Sequence, residues 1–265
     1  GYAALAEATS GTNNTAVGST AMGSAQVTGD FNTAIGYLAG AAITGGSNNN
    51  ILGAHAGDSI TTGDNNTAVG NAALATNAFG DRNIAIGGNA LATLATADNV
   101  GDNVAVGYNT GASINTGINN VLLGNYAGDG FTTGIDNVAI GNFALSAANA
   151  GNRSVAIGKE TLSVQNAGSA GQNMYNVAVG YRAGLSVTTG VQNTLIGAHA
   201  GDAINTGAYN TLLGYNAGTD LDTGAKNTFV GVLAGGDTVI GNNNVAVGYD
   251  SLRKNIDGDN NTAIG

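Results

Sequence analysis

A five-residue tag recurs along the whole chain at a nearly constant interval, and no other feature limits the fold as severely. It runs Asn, then Thr or Val, then Ala, then Ile or Val, then Gly: NTAVG at Asn14–Gly18, NTAIG at Asn32–Gly36, NVAVG at Asn103–Gly107 and NTAIG at Asn261–Gly265. Counted from Gly1 to Gly265, twelve of the fifteen intervals between closing glycines are seventeen residues; the others are eighteen, twenty and twenty-two. A disordered linker needs no such register. The 45 glycines, absent proline and 9% charged residues therefore belong to one short ordered unit used fifteen times, a single array over residues 1–265.

Alternation then suggests the unit. The Thr/Val and Ile/Val slots are two apart and share one face of a strand, as in Val104 and Val106. β-branched residues at that spacing favour a strand, and seventeen residues with two turns are too few for a helical hairpin. The expected fold is all-β, a parallel β-solenoid (β-roll) of about fifteen coils, each strand–turn–strand–turn. The β-branched pair is expected to face the core. Insertions fall near residues 23–30, 92–102 and 163–175.

Two columns support stacking. Asparagine opens the tag at Asn14, Asn32, Asn49, Asn66, Asn83, Asn103, Asn120, Asn137, Asn176, Asn193, Asn210, Asn227, Asn244 and Asn261, with Ser154 alone breaking the row. Amides repeated every ~4.8 Å can bond to one another and to turn backbone, so an Asn ladder is expected. Four residues after the tag glycine stands either glycine or a large aliphatic residue. Gly40, Gly57, Gly111, Gly128, Gly184, Gly201 and Gly218 are followed three positions later by Ile43, Ile60, Ile114, Phe131, Val187, Ile204 and Leu221. Where the slot holds Leu5, Met22, Leu74, Leu145, Leu162 or Leu252, the later position holds Ala8, Ala25, Asn77, Ala148, Gln165 or Asn255. One core volume is filled from either position, as close packing demands. Gly235 with Thr238 supplies neither large residue.

The tag's middle slot holds Ala16, Ala34, Ile51, Ala68, Ala85, Ala105, Leu122, Ala139, Ala156, Ala178, Leu195, Leu212, Phe229, Ala246 and Ala263, none of them polar. A solvated strand face normally alternates to polar residues. This column is expected to be a second buried face, the contact surface of a parallel homo-oligomer, with a trimer favoured.

Units such as NTAIGYLAG (Asn32–Gly40), NVAVGYNTG (Asn103–Gly111) and SVAIGKETL (Ser154–Leu162) resemble the head repeats of YadA-like trimeric autotransporter adhesins (the Hep/Hag-type β-roll), found also in phage and bacterial fibre proteins. The resemblance covers the whole chain. It implies a left-handed homotrimeric β-roll on an extracellular fibre, at a cell surface or on a virion. The seventeen-residue period departs from the shorter repeat usual in that family and implies a longer second turn.

Composition excludes several chemistries. Without cysteine there is no disulfide framework or thiolate site. A net charge of −10 has the wrong sign for tracking phosphates, so nucleic acid is not an expected partner. No apolar run approaches the ~20 residues of a membrane span, so this segment is not expected to insert. No catalytic constellation emerges, and neither an enzyme activity, a metal nor a cofactor is expected. His55 and His199 occupy one slot of near-duplicate GAHAGD units eight coils apart, too far to share a metal. The turn aspartates Asp58, Asp129, Asp202, Asp64, Asp81 and Asp259 lack the GGxGxD register of calcium rolls and read as solvated. Six of nine tyrosines (Tyr2, Tyr37, Tyr108, Tyr181, Tyr215, Tyr249) directly follow the tag glycine, where rings can cover the bare turn.

Insertions in solenoids project as loops and often carry recognition. Thr96, Asp98, Asn99, Gln165, Asn166, Met174 and Tyr175 are the candidate recognition residues. The function that follows is a structural and adhesive fibre module, partnered with itself and with a cell-surface or matrix receptor. A self-assembling filament subunit is the alternative. An ice-binding solenoid ranks lower, because TxT rows are missing and the tag Thr alternates with Val as a core position would.

Overall fold

The computed structural model describes residues 1–23, 25–97, 100–147, 151–169 and 171–265. Among them there is no helix, and the repeat array forms a parallel β-solenoid of about fifteen coils with one three-residue strand each. The chain divides into two compact units, Gly1–Gly134 and Ile135–Gly265. The first holds β1 (Thr15–Val17), β2 (Thr33–Ile35), β3 (Asn50–Leu52), β4 (Thr67–Val69), β5 (Ile84–Ile86), β6 (Val104–Val106) and β7 (Val121–Leu123). The second holds β8 (Val138–Ile140), β9 (Val155–Ile157), β10 (Val177–Val179), β11 (Thr194–Ile196), β12 (Thr211–Leu213), β13 (Thr228–Val230), β14 (Val245–Val247) and β15 (Thr262–Ile264).

Within each unit every strand pairs in parallel with the next, tag position against the same tag position. Ala68 faces Ala85 in the first unit and Leu195 faces Leu212 in the second. The insertions leave this register intact. Ile84 still pairs with Val104 across a twenty-residue interval, and Val155 with Val177 across twenty-two. The three tag-strand columns therefore stay aligned across both insertions.

The second strand expected in each coil does not form. Outside the tag strands, the only extended pairings among the described residues are isolated bridges such as Asp81 with Gly101. Residues two and four beyond the tag glycine adopt left-handed backbone, as at His55 (φ 57°) and Leu74 (φ 54°). Two such corners within three residues bend the chain too sharply for a pleated strand. The N–H groups nevertheless bond to the neighbouring coil, Leu74 to the Ala90 carbonyl and Gly57 to that of Ala73, both at 2.9 Å. The tag glycine itself has φ between 124° and 142°. A Cβ on Gly53 would strike the carbonyl of Gly70 in the next coil. Glycine is required there by both backbone conformation and stacking distance.

Strand orientation reverses one expectation. The middle slot, from Ala34 to Ala246, points into the coil and is fully buried, and only in β1 and β15 are Ala16 and Ala263 half-buried. Its residues are therefore the core of each coil, and the assignment of Ala16, Ala34, Ile51, Ala68, Ala85, Ala105, Leu122, Ala139, Ala156, Ala178, Leu195, Leu212, Phe229, Ala246 and Ala263 to an oligomer face is wrong. The β-branched pair expected inside lies outside: Val17, Ile35, Leu52, Ile86, Ile196 and Leu213 are all exposed.

Interior volume explains the arrangement. A Cβ on Gly40 or Gly57 would approach Ile51 Cδ1 to 3.0 and 3.1 Å. On Gly111 or Gly128 it would approach Leu122, on Gly184 or Gly201 Leu195, and on Gly201 or Gly218 Leu212. On Gly235 it would overlap the Phe229 ring. Each large middle residue is flanked on both sides by glycine four positions beyond the tag, and where that slot is Leu or Met the adjoining middle residues are alanine. Three columns, not two, share one close-packed volume. Phe229 supplies the bulk missing from the coil of Gly235 and Thr238.

Candidate functional site

Four features offer chemistry: the buried Asn column, the outward strand pairs, the corner after the tag, and the insertion loops. The Asn column is buried over most of its length. The Asn193 amide shows its wiring. Its Nδ2 donates to Gly207 O at 2.9 Å and to Asn176 Oδ1 at 3.3 Å. Its Oδ1 accepts from the backbone N–H and the Nδ2 of Asn210, both at 3.1 Å. One bond closes the coil and the others join adjacent coils. The same pattern holds in the first unit, as at Asn49 with Asn32 and Gly63. This column is a structural device inside the wall.

Gln165 repairs the break at Ser154. Its Nε2 donates to Ser154 Oγ at 3.0 Å and its Oε1 accepts from Asn176 Nδ2 at 2.8 Å. It is buried and cannot serve as a recognition residue. Met174 and Thr96 are buried as well, Thr96 donating to Val100 O at 3.2 Å. These three assignments fail because the side chains of Thr96, Gln165 and Met174 turn inward. Asn166 and Tyr175 are exposed, and Tyr175 accepts from Arg153 Nη1 at 3.3 Å. Asp98 and Asn99 lie outside the described residues, as does Ala148 of the packing column.

A second capping row, two residues before the tag, has no consistent residue type and so gave little sequence signal. Thr12 N–H donates to Asp30 Oδ1, Asp30 N–H to Ser47 Oγ, Ser47 N–H to Asp64 Oδ1 and Asp64 N–H to Asp81 Oδ1, at 2.6–3.0 Å. Asp259 caps Asn242 likewise at 2.6 Å. Several turn aspartates are thus acceptors built into the wall, and Asp81 is buried rather than solvated. The Thr12 N–H holds the Asp30 carboxyl below its ordinary value. Asp129 differs. Burial raises its pKa against the opposing effect of backbone N–H groups, and its Oδ1 has no hydrogen-bond partner among the described residues.

The outward strand pair forms an apolar stripe in each unit. Of its thirty positions, twenty-two are aliphatic, seven are Thr and one is Asn50; none is charged. Beside it runs the corner that follows the tag glycine, carrying most of the tyrosines. His55 Nδ1 lies 3.2 Å from Asp58 Oδ2 and its ring meets Tyr37 edge-on at 5.3 Å. His199 Nδ1 lies 2.7 Å from Asp202 Oδ2 and its ring meets Tyr181 at the same 5.3 Å. Arg182 Nε bonds Glu160 Oε2 at 2.6 Å, which holds the Glu160 carboxyl below its usual range. Tyr108 lies against the Gly88 turn, whose added Cβ would touch its ring at 3.4 Å. Among the described residues, no three His or acidic side chains gather as a metal site.

The sequence matches no family model, and no curated protein matches it either.

Proposed function

We propose that this chain is a structural and adhesive module of an extracellular fibre, a left-handed homotrimeric β-roll that spaces or presents receptor-binding regions at a cell surface or on a virion. The observation that carries the reading is the outward strand pair, an uncharged and predominantly aliphatic stripe in each unit. Monomeric proteins rarely expose such contiguous patches, and a parallel self-association stacks identical columns from three copies, Val against Val and Thr against Thr. The trimer surface is thus reassigned from the middle slot to its two neighbours. The handedness and the threefold symmetry come from the resemblance to adhesin head repeats.

The test is light scattering on the purified chain, with variants Ile196→Asp and Leu213→Asp. A mass three times 25.7 kDa is expected, falling to the monomer in the double variant. A wild-type monomer would refute the assembly.

An ice-binding surface is a second reading with one observation in its favour. The tag threonines Thr15, Thr33, Thr67, Thr194, Thr211, Thr228 and Thr262 face outward, so their alternation with Val is not core behaviour. The partner row, however, is aliphatic in all fifteen strands and leaves hydroxyls on one side only, which favours the oligomer. Thermal hysteresis without trimer formation would reverse that order.

A further inference from the structure

We propose that the aromatic corner of the second unit, Tyr181 to Tyr215, is a binding strip for an extended β-1,4-linked hexopyranose chain lying along the coils. The inference stands apart from the trimer, since the corner flanks the apolar stripe.

The first argument is that the constellation is built twice. Each unit holds a tyrosine after the tag glycine, a histidine one coil later meeting it edge-on, and an aspartate bonded to that histidine's Nδ1. The interplanar angles are 85° for Tyr37 with His55 and 84° for Tyr181 with His199. The Asp bond leaves each imidazole Nε2 for another partner. Neutral turn chemistry does not require such a copy, because other coils place Asn89, Asn109 or Glu160 in the histidine slot.

Extent and ligand chemistry come from the second unit. Tyr215 continues the row on the following coil, its ring 6.4 Å from His199. Thr219 Oγ1 donates to Asp202 Oδ1 at 2.7 Å, and the Arg182 guanidinium lies 5.0 Å over the Tyr181 ring. Tyr181 and Tyr215 remain 41% and 53% exposed, so the contacts with His199 and Arg182 orient the rings while leaving part of each open. Aromatic faces interleaved with carboxylate, guanidinium and imidazole suit a ligand having both C–H faces and ring hydroxyls. Glu160 and Asp202 beside the rings oppose a phosphate backbone. Coils advance by ~4.8 Å, close to the length of one residue in an extended 1,4-linked β-pyranose chain, so Tyr181 and Tyr215 stand about two sugars apart.

The probes are cellohexaose, chitohexaose and mannohexaose, titrated calorimetrically into the folded full chain. At least one is expected to bind. Tyr181→Ala and Tyr215→Ala should each weaken it about tenfold, with Tyr181→Phe restoring affinity. Tyr249→Ala, in the same column but outside the strip, should stay within about twofold of wild type. Thermal melting confirms that each variant folds. The proposal is overturned if no hexasaccharide binds, if the two alanine variants bind as wild type does, or if Tyr249→Ala weakens binding equally.

Discussion

Replacing Asn193 by alanine tests the wiring of the coil wall. The substitution removes the donor to Gly207 O and the acceptor of the Asn210 N–H. No other partner for either backbone group occurs among the described residues. Leaving a buried polar group unsatisfied costs about 1–3 kcal/mol, so two such groups cost roughly 4 kcal/mol together, before any lost packing. A solenoid need not unfold in one step, so the local readout is hydrogen exchange at the Asn210 amide, supported by the urea midpoint. Exchange should accelerate about a thousandfold, the equivalent of that free energy. Asn193→Asp should cost at least as much at neutral pH, because a carboxylate cannot donate to Gly207 O and adds buried charge. Thr206→Ala, at an exposed position, should change little. If Asn193→Ala loses less than about 1 kcal/mol, comparable with a single ordinary bond, the amide column is not what joins the coils.

The shared interior volume predicts a rescue. Phe229→Ala should cost about 3–5 kcal/mol, and adding Gly235→Leu should recover part of it, because Leu74 and Leu162 already occupy that slot at φ 54° and 48°. Gly235→Leu alone should destabilise, since the Phe229 ring fills the space; equal effects in both backgrounds, measured by urea denaturation, would contradict the packing rule. Asp129→Asn should stabilise at neutral pH. The folded-state pKa of Asp129 is raised by burial, so its ionised form is disfavoured in the fold above that value. The penalty fades as pH falls through the folded pKa towards the ordinary 3.8, and with it the variant's advantage. The gain should be under about 1 kcal/mol for this partly exposed group, and melting curves at pH 7 and pH 3 provide the check.

Much of the fold was legible because identical positions of a stacked coil share one environment. The register, the parallel pairing, the glycine turns and the asparagine column all follow from repetition, since a stacking geometry that requires an amide at Asn66 requires it again at Asn83 and Asn193. The tyrosine column and the His–Asp spacing were visible too, although nothing in the sequence showed that His199 sits between two tyrosine rings. The buried cap at Asp81 was harder to see, because Thr, Asp, Ser and Asn all serve in that row. The length of the insert around Gln165 and Met174 suggests a projecting loop, yet these two side chains turn inward to complete a coil.

Which side of the strand faces inward was the decision left to tertiary structure. Alternation places Ala178 opposite Val177 and Val179, but both faces are apolar, so hydrophobicity cannot choose between them. The coil's interior volume does. A residue four positions beyond the tag occupies the space beside the middle slot, which then admits only alanine, and a large side chain enters only where glycine clears the way on both sides, as around Ile51 and Phe229. That exclusion was written in the sequence as a correlation between columns. It acquired a direction only when the coil closed and placed those columns in one confined volume.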